Sequence, residues 1–404
     1  VTDSDIGTRA RTIRRRRGLS LDTAAGLAGI SKSYLSKLEN GKRHFERRGL
    51  VEDLATALGC AVADLTGQPY LPVDGPTADG QRAVTRIEQG LNDATLDDVP
   101  DLRPRPLPEL RSSVDDSARL RDAGHYGAAA SDADRVLIDL QVHIATGSGS
   151  HRREAAELVT HAAYNAFVVA TTYGYLHLAQ QAARRAHDAA TLAESPELIA
   201  FAMFARTPSI ARNGGRGRGA RLLDRAIDEA QPLTAMHDDA TTGAEMFGLL
   251  HLMRAHLAAR DKDPSRAHEH LAEAARVATL TGECNGFRQH FGPSNVRVWE
   301  VAIGAELEEG PGVAERVEAA RIDLDALDSN DRTAALHFDL ARVYAQGGGA
   351  RDPDAIRHLD TADRIAPQRI RLDPIARGLV AELSRRARRR VWELDSLRNR
   401  FGVD

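Results

Sequence analysis

The sequence predicts an all-α protein in two parts, a small five-helix module followed by a long body of repeated helix pairs. Three observations predict it. Beyond about Ser113, alanine, leucine, glutamate and arginine recur at helical period with no convincing strand. Glycine and small polar residues divide the first 67 residues into five short segments. A signature of a small residue, an apolar one four later and alanine three after that also recurs. Its instances are Ala179/Ala183/Ala186, Gly219/Leu223/Ala226, Ala267/Leu271/Ala274, Val313/Val317/Ala320 and Ala355/Leu359/Ala362, with middle residues 40, 48, 46 and 42 apart. A poorer copy, Ala129/Ala133/Val136, starts the array.

Composition sets the bounds. The 404 residues carry 54 basic and 58 acidic side chains, with 42% apolar and 28% charged residues, as expected of a soluble chain of two or three domains. Global disorder and a fibre are excluded. Cys60 and Cys284 are too few and too far apart for a disulfide scaffold or a four-ligand zinc site, which suits a reducing cytoplasm. No apolar run of signal-peptide length opens the chain, so a cytoplasmic location is expected. The longest uncharged stretch, Leu158 to Ala183, is interrupted by His161, Asn165 and His177 and reads as a buried helix pair rather than a membrane span.

The net charge of −4 hides an asymmetry. Ile6 to Arg48 holds 12 basic residues against Asp22, Glu39 and Glu46, a net +9 suited either to a polyanion or to a solvated face. Of four lysines in the chain, Lys32, Lys37 and Lys42 fall in one eleven-residue segment.

Helix 1 is expected over Ile6–Arg17, stopped by Gly18. Ser20 is the N-cap candidate for helix 2, Leu21–Ala28, with Thr23 at the third helical position, and Gly29 ends it. Ser31 caps helix 3, Lys32–Glu39, which stops at Asn40-Gly41. Helix 4 follows over Gly49–Leu58 and helix 5 over Ala61–Leu65. Two helices joined by a short glycine-containing turn make a helix-turn-helix, and Ala24, Ala28, Ile30, Leu35 and Leu38 fall on its inward side. Lys32, Ser33, Ser36 and Lys37 are left on the outer face of helix 3. Tyr34 reads as packed at the helix edge. For Arg14 to Arg17, contact with a phosphate backbone and simple solvation are equally open.

Through SKSYLSKLENGKR (Ser31–Arg43), with GLSLDTAAGLAGI before it and LATALGCAVADL after it, residues 6–67 resemble the XRE, or lambda-repressor-like, DNA-binding family. The resemblance implies double-stranded DNA as partner, with helix 3 in the major groove. It implies base-edge contacts from Lys32, Ser33 and Lys37 and phosphate contacts from Asn40, Lys42 and Arg43. Lysine and serine have the chemistry for this, since lysine donates to guanine O6 and N7 and serine both donates and accepts. Leu21 stands where the family often has glutamine, Ala24 where it has leucine, and Phe45-Glu46 where it has Pro-Ser. The operator sequence therefore does not carry over.

Residues 68–112 read as a proline- and glycine-rich linker with one helix, Gln81–Asp93, flanked by two hinges. Residues 113–404 read as the repeat body, closed by a capping helix from Pro374 to Phe401. Arg385, Arg386 and Arg388 to Arg390 on it serve either as a polar cap or as a second polyanion contact. The helix pairs resemble tetratricopeptide repeats, although the spacing exceeds their usual ~34 residues. The whole resembles actinobacterial XRE regulators with tetratricopeptide bodies, supported by FGPSNV (Phe291–Val296), LARVYAQGG (Leu340–Gly348) and ADRIAPQRIR (Ala362–Arg371). It is also similar in architecture to the peptide-sensing RRNPP regulators.

A solenoid presents a concave groove, and Tyr164, Asn165, Phe204, Arg212 and Asn295 are its candidate ligand contacts. Phe247 and Trp299 read as packing between repeats. Asn295 is either an N-cap or a donor to a ligand. Asn213 to Gly219 is glycine-rich but lacks a preceding strand and a GK[ST] ending, so it reads as a turn rather than a phosphate loop. His268 and His270 lie about 200 degrees apart on a helix and cannot chelate one metal. With no catalytic constellation, no metal and no cofactor expected, the sequence predicts a sequence-specific transcriptional regulator. Its body would form a homodimer on an inverted-repeat operator and sense a peptide, small molecule or protein. The alternative is an interaction scaffold that the DNA module merely localises.

Overall fold

The computed structural model describes residues 5–70, 74–96, 98–235, 241–320, 322–387 and 389–403. Among these the chain is all-α, a helix-turn-helix module followed by a helical repeat body, with no strand.

The N-terminal module, here called the reader, contains α1 (Ile6–Arg16), α2 (Leu21–Leu27), α3 (Lys32–Glu39), α4 (Arg48–Leu58) and α5 (Val62–Thr66). Its expected caps are present. Ser20 Oγ accepts from the Thr23 amide at 3.0 Å and Ser31 Oγ from the Tyr34 amide at 3.1 Å. Gly29 has φ +66°, the left-handed angle that lets the Ile30 amide return to the Ala25 carbonyl at 3.0 Å and close α2. Ala24, Leu35, Leu38, Leu50 and Leu54 form a sealed core.

The segment expected to be a linker is largely helix. α6 (Gly75–Asn92) begins six residues earlier than Gln81, because Asp74 accepts from the Thr77 amide at 2.8 Å and caps it. Its stripe of Ala83, Val84, Ile87 and Leu91 is buried in the core of the body, so α6 is fixed against the first repeat instead of swinging between hinges. Leu71 to Val73 lie outside the described residues. The second proline-rich stretch is pinned by Arg105, whose guanidinium meets Asp132 at 2.7 Å and Asp139 at 2.5 Å.

The body continues through α7 (Leu107–Asp122), α8 (Tyr126–Ala129) and α9 (Ala133–Thr146), then the pair α10 (Gly149–Thr172) and α11 (Leu176–Ala193). Next come α12 (Pro196–Ile210) with α13 (Arg216–Ala230), α14 (Thr242–Arg260) with α15 (Pro264–Thr281), and α16 (Pro293–Leu307) with α17 (Pro311–Ala319). After α18 (Leu324–Leu327), the pair α19 (Asn330–Gln346) and α20 (Asp352–Ile365) completes the array. The signature found in sequence marks the second helix of each pair. Ala183, Leu223, Val317 and Leu359 are fully buried there, where small neighbours at the preceding and following turns let the partner helix approach. Ala320 is exposed, because α17 ends one residue before it. The uncharged stretch forms the α10/α11 pair, and no helix among the described residues is long and apolar enough to cross a membrane.

The C-terminal segment is two helices after the short α21 (Pro367–Arg371), not the single capping helix expected. α22 (Pro374–Arg386) ends at Ala387, and α23 (Trp392–Phe401) folds back to bury Leu394, Leu397 and Phe401. The break is held by Arg386, which pairs with Glu382 at 2.8 Å and Asp352 at 3.1 Å, and by Arg385, which donates to the Gly41 carbonyl of the reader. These two arginines brace the fold. Arg388 lies outside the described residues.

Candidate nucleic-acid interface and groove cavity

On α3, Lys32, Ser33, Ser36, Lys37 and Asn40 follow one another at positions that share a helix face. Leu35 and Leu38 anchor the opposite face in the core, so the register of α3 is fixed by burial. Lys32, Ser33 and Lys37 are exposed, and Ser36 is half-buried. Tyr34 is half-buried at the edge, with the Arg43 guanidinium 5.9 Å from its ring centre. Asn40 is less free than Lys42 and Arg43. Its amide donates to the Ser36 carbonyl at 2.7 Å and its oxygen accepts from Arg11 at 3.2 Å, which fixes the turn that presents the two exposed cations.

Arg14 has a role that sequence reading missed. It makes a paired contact with Glu39 at 2.6 and 2.7 Å and donates to the Leu19 carbonyl at 2.9 Å, tying α1 to the end of α3. Burial pushes the Cys60 thiol up, away from the reactive thiolate range.

The reader is seated on the body through the stretch from His44 to Gly49 and through α4. Arg47, at the N-cap position of α4, makes no capping bond with its own side chain. Glu306 of α16 does this instead, lying 3.3 Å from both the Arg48 and Gly49 amides. The same carboxylate pairs with Arg342 of α19 at 2.7 Å. Although burial opposes its charge, Arg342 and Arg260 hold Glu306 well below the usual carboxylate range. Arg48 meets Asp373 at 2.6 Å and Arg260 meets Glu52 at 2.8 Å. Gly49 lies so close to α14 that a Cβ would stand 2.7 Å from the Arg260 carbonyl oxygen. A buried glutamate in the otherwise uncharged run from Val301 to Leu307 is the one sequence signal for this contact.

Between α4 and the first helices of the repeat pairs lies a cavity of about 300 Å³. Tyr164, Phe204 and Arg212, expected in the groove, all line it, and so does Trp299, expected to be packing. Its ring stands edge-on to Phe204 at 6.2 Å and to His256 at 5.5 Å. Phe247 is buried away from the cavity, in line with packing.

Asn165 and Asn295 do not join this cavity. Asn165 accepts from Arg121 at 2.8 Å and donates to Ser117 at 3.2 Å, on the far side of α10 facing α7. Asn295 is 1% exposed and donates to the Gln289 carbonyl at 3.2 Å, which pins the loop before α16. Gly292, not Asn295, occupies the N-cap position. Both asparagines are drawn inward because α7 offers buried partners to Asn165 and the loop before α16 offers one to Asn295.

Asn213 lies in the turn Ala211–Gly215 between α12 and α13, with Gly214 at φ +86°. His270, on α15, pairs with a histidine of the neighbouring helix α14. It is half-buried, its Nδ1 at 3.0 Å from His251 Nδ1, and an equivalent contact joins His337 to His358 at 2.9 Å two repeats later.

Residues 5–66 match the family described as "Helix-turn-helix domain". A curated relative, the HTH-type transcriptional regulator DdrOP3 of Deinococcus deserti, is 36% identical over 89 residues. That match covers 22% of this chain and 63% of the relative. Among solved structures, PlcR of Bacillus thuringiensis, crystallised with the peptide PapR7 and DNA, is 11% identical with a TM-score of 0.30. It covers 68% of this chain and 95% of PlcR. ComR of Streptococcus suis is 13% identical with a TM-score of 0.19, covering 79% of this chain and 96% of ComR. The N-terminal family match identifies residues 5–66 as a helix-turn-helix domain.

Proposed function

We propose, from the premise that residues 5–66 are a helix-turn-helix domain, that the protein is a sequence-specific transcriptional regulator of the XRE type. The reader spans residues 1–67, and its α3 enters the major groove. Lys32, Ser33 and Lys37 contact base edges, with Ser36 beside them on the DNA-facing side, while Asn40, Lys42 and Arg43 contact phosphates and so set the reader's position. The observation that carries this reading is the open face of α3, where Lys32, Ser33 and Lys37 stay exposed while the reader is seated on the body through α4.

The body, residues 113–404 joined through 68–112, forms the homodimer that spaces two readers on an inverted repeat. It also senses an effector in the cavity between α4 and the repeats. That cavity is bounded by the reader's Arg48, Val51 and Glu52 and by the body's Tyr164, Phe204 and Arg212. An occupant that prefers one seating of the reader shifts the population towards it, by no more than its difference in affinity for the two states.

The test is recovery and sequencing of genomic DNA fragments bound by the full chain near physiological salt. The expected result is an inverted-repeat motif that is lost in the Lys32→Ala/Lys37→Ala double variant. Diffuse recovery that the double variant reproduces refutes sequence reading and favours an interaction scaffold.

A further inference from the structure

Charge accounting at the cavity leaves one cation over. Five of its lining arginines have carboxylate partners. Arg48 is held by Asp373, Arg260 by Glu52, and Arg342 by Glu306 and Asp339, both at 2.7 Å. Arg332 and Arg369 share Asp331 at 2.6 and 2.5 Å. The sixth, Arg212, makes no hydrogen bond or ion pair to any described residue. Burial, then the neighbouring Arg260 and Arg48, push its guanidinium down to about 9. An uncompensated charge in such a place is costly to the empty fold.

A second observation is independent of charge. Trp299 Nε1, Arg260 Nε and Arg342 Nε are buried without a hydrogen-bond partner, on side chains 8%, 2% and 4% exposed that line the same cavity. All three atoms are donors that cannot accept. Glu52 Oε2 and Thr171 Oγ1 are also unbonded there, but Arg216 at 3.9 Å neutralises the carboxylate, and the hydroxyl can donate as readily as accept. The unmet demand is therefore for an acceptor, and the surplus charge makes that acceptor an anion. The remaining walls, among them Phe167, Phe204, Trp299 and Phe338, are apolar or aromatic. The volume stands at the small end of ligand pockets, roughly 300–1,000 Å³.

We infer that this cavity binds a small organic anion, one carboxylate or equivalent acidic group seated on Arg212 and joined to an apolar, ring-bearing body. The inference deepens the sensing reading above and rests on it, naming the chemistry of the effector. An extended peptide fits less well, since its backbone brings donors in equal number to acceptors.

Two fluorescent probes differing by a single acidic group test it on the full chain without DNA. 8-Anilinonaphthalene-1-sulfonate carries the acid, and N-phenyl-1-naphthylamine has the same rings without it. The expected result is saturable binding of one sulfonate probe per chain, at least tenfold tighter than the uncharged probe. Arg212→Met weakens the sulfonate at least tenfold and leaves the uncharged probe unchanged, while Arg212→Lys retains most of the affinity. Circular dichroism of each variant confirms its fold. Equal affinity for the two probes, unchanged sulfonate binding in Arg212→Met, or no single-site binding in the wild type overturns the inference. Because no DNA is present, failure here is separate from failure of the operator selection, which tests the regulator reading alone.

Discussion

Glu306 joins the reader to the body, and replacing it measures how firmly the reader is seated. Glu306→Ala removes the cap from the first turn of α4, worth about 1 kcal/mol for a typical N-cap. It also breaks a fully buried pair with Arg342, which commonly costs about 3–5 kcal/mol because the remaining charge is left without compensation. One carboxylate does both, so the two figures overlap. Undocking also lets water reach Arg342, which limits the loss to what the seating itself is worth. A loss of ~3 kcal/mol is expected, or roughly a 100-fold easier opening at about 1.4 kcal/mol per factor of ten. Hydrogen exchange reads this directly, because the Arg48 and Gly49 amides are the ones bonded to Glu306. A peptide covering residues 44–54 should exchange about 100-fold faster in the variant while α3 keeps its protection. Glu306→Gln retains an acceptor oxygen and the packing and should fall between. Exchange within threefold of wild type in Glu306→Ala would refute the idea that this carboxylate holds the reader in place.

Three further outcomes are expected. Lys37→Ala should relax sequence preference by ~1–3 kcal/mol at one base position, whereas Lys42→Ala should weaken all DNA alike and flatten the salt slope by about one, as read by titration over a salt series. Arg14→Met should destabilise the reader by ~2–4 kcal/mol, since it leaves Glu39 buried and unpaired, and thermal melts of the variant should show it. Burial and neighbouring groups lower His161, His251 and His337 to about 4, so each stays neutral in the fold at pH values where the unfolded chain binds a proton. Stability is then full above about pH 6.5 and declines as the pH falls towards 4. The urea midpoint should be lower at pH 5 than at pH 7, and equal midpoints would contradict these assignments. Below that range Glu382, held down to about 2 against its burial by His44 and Arg386, begins to lose its pairs as well.

What the sequence determined by itself is local. Ser20 and Ser31 cap their helices, Gly29 and Gly41 turn with positive φ, and Leu35 and Leu38 point inward, because each depends on residues within one or two helical turns. The repeat signature was legible for the same reason, since a helix that packs closely needs small residues at a fixed spacing whatever its partner. Helical periodicity says which face is buried but not what it is buried against. Tertiary structure alone therefore brought Arg48 to Asp373 and Arg260 to Glu52 across more than half the chain, and placed the cap of α4 on Glu306. It also turned Asn165 and Asn295 inward to nearby partners and gathered Tyr164, Phe204, Arg212 and Trp299 from three helices and a turn around one cavity. The physical reason is that pairing energies depend on distance in space, and stacking the repeats sets those distances after the helices are already specified.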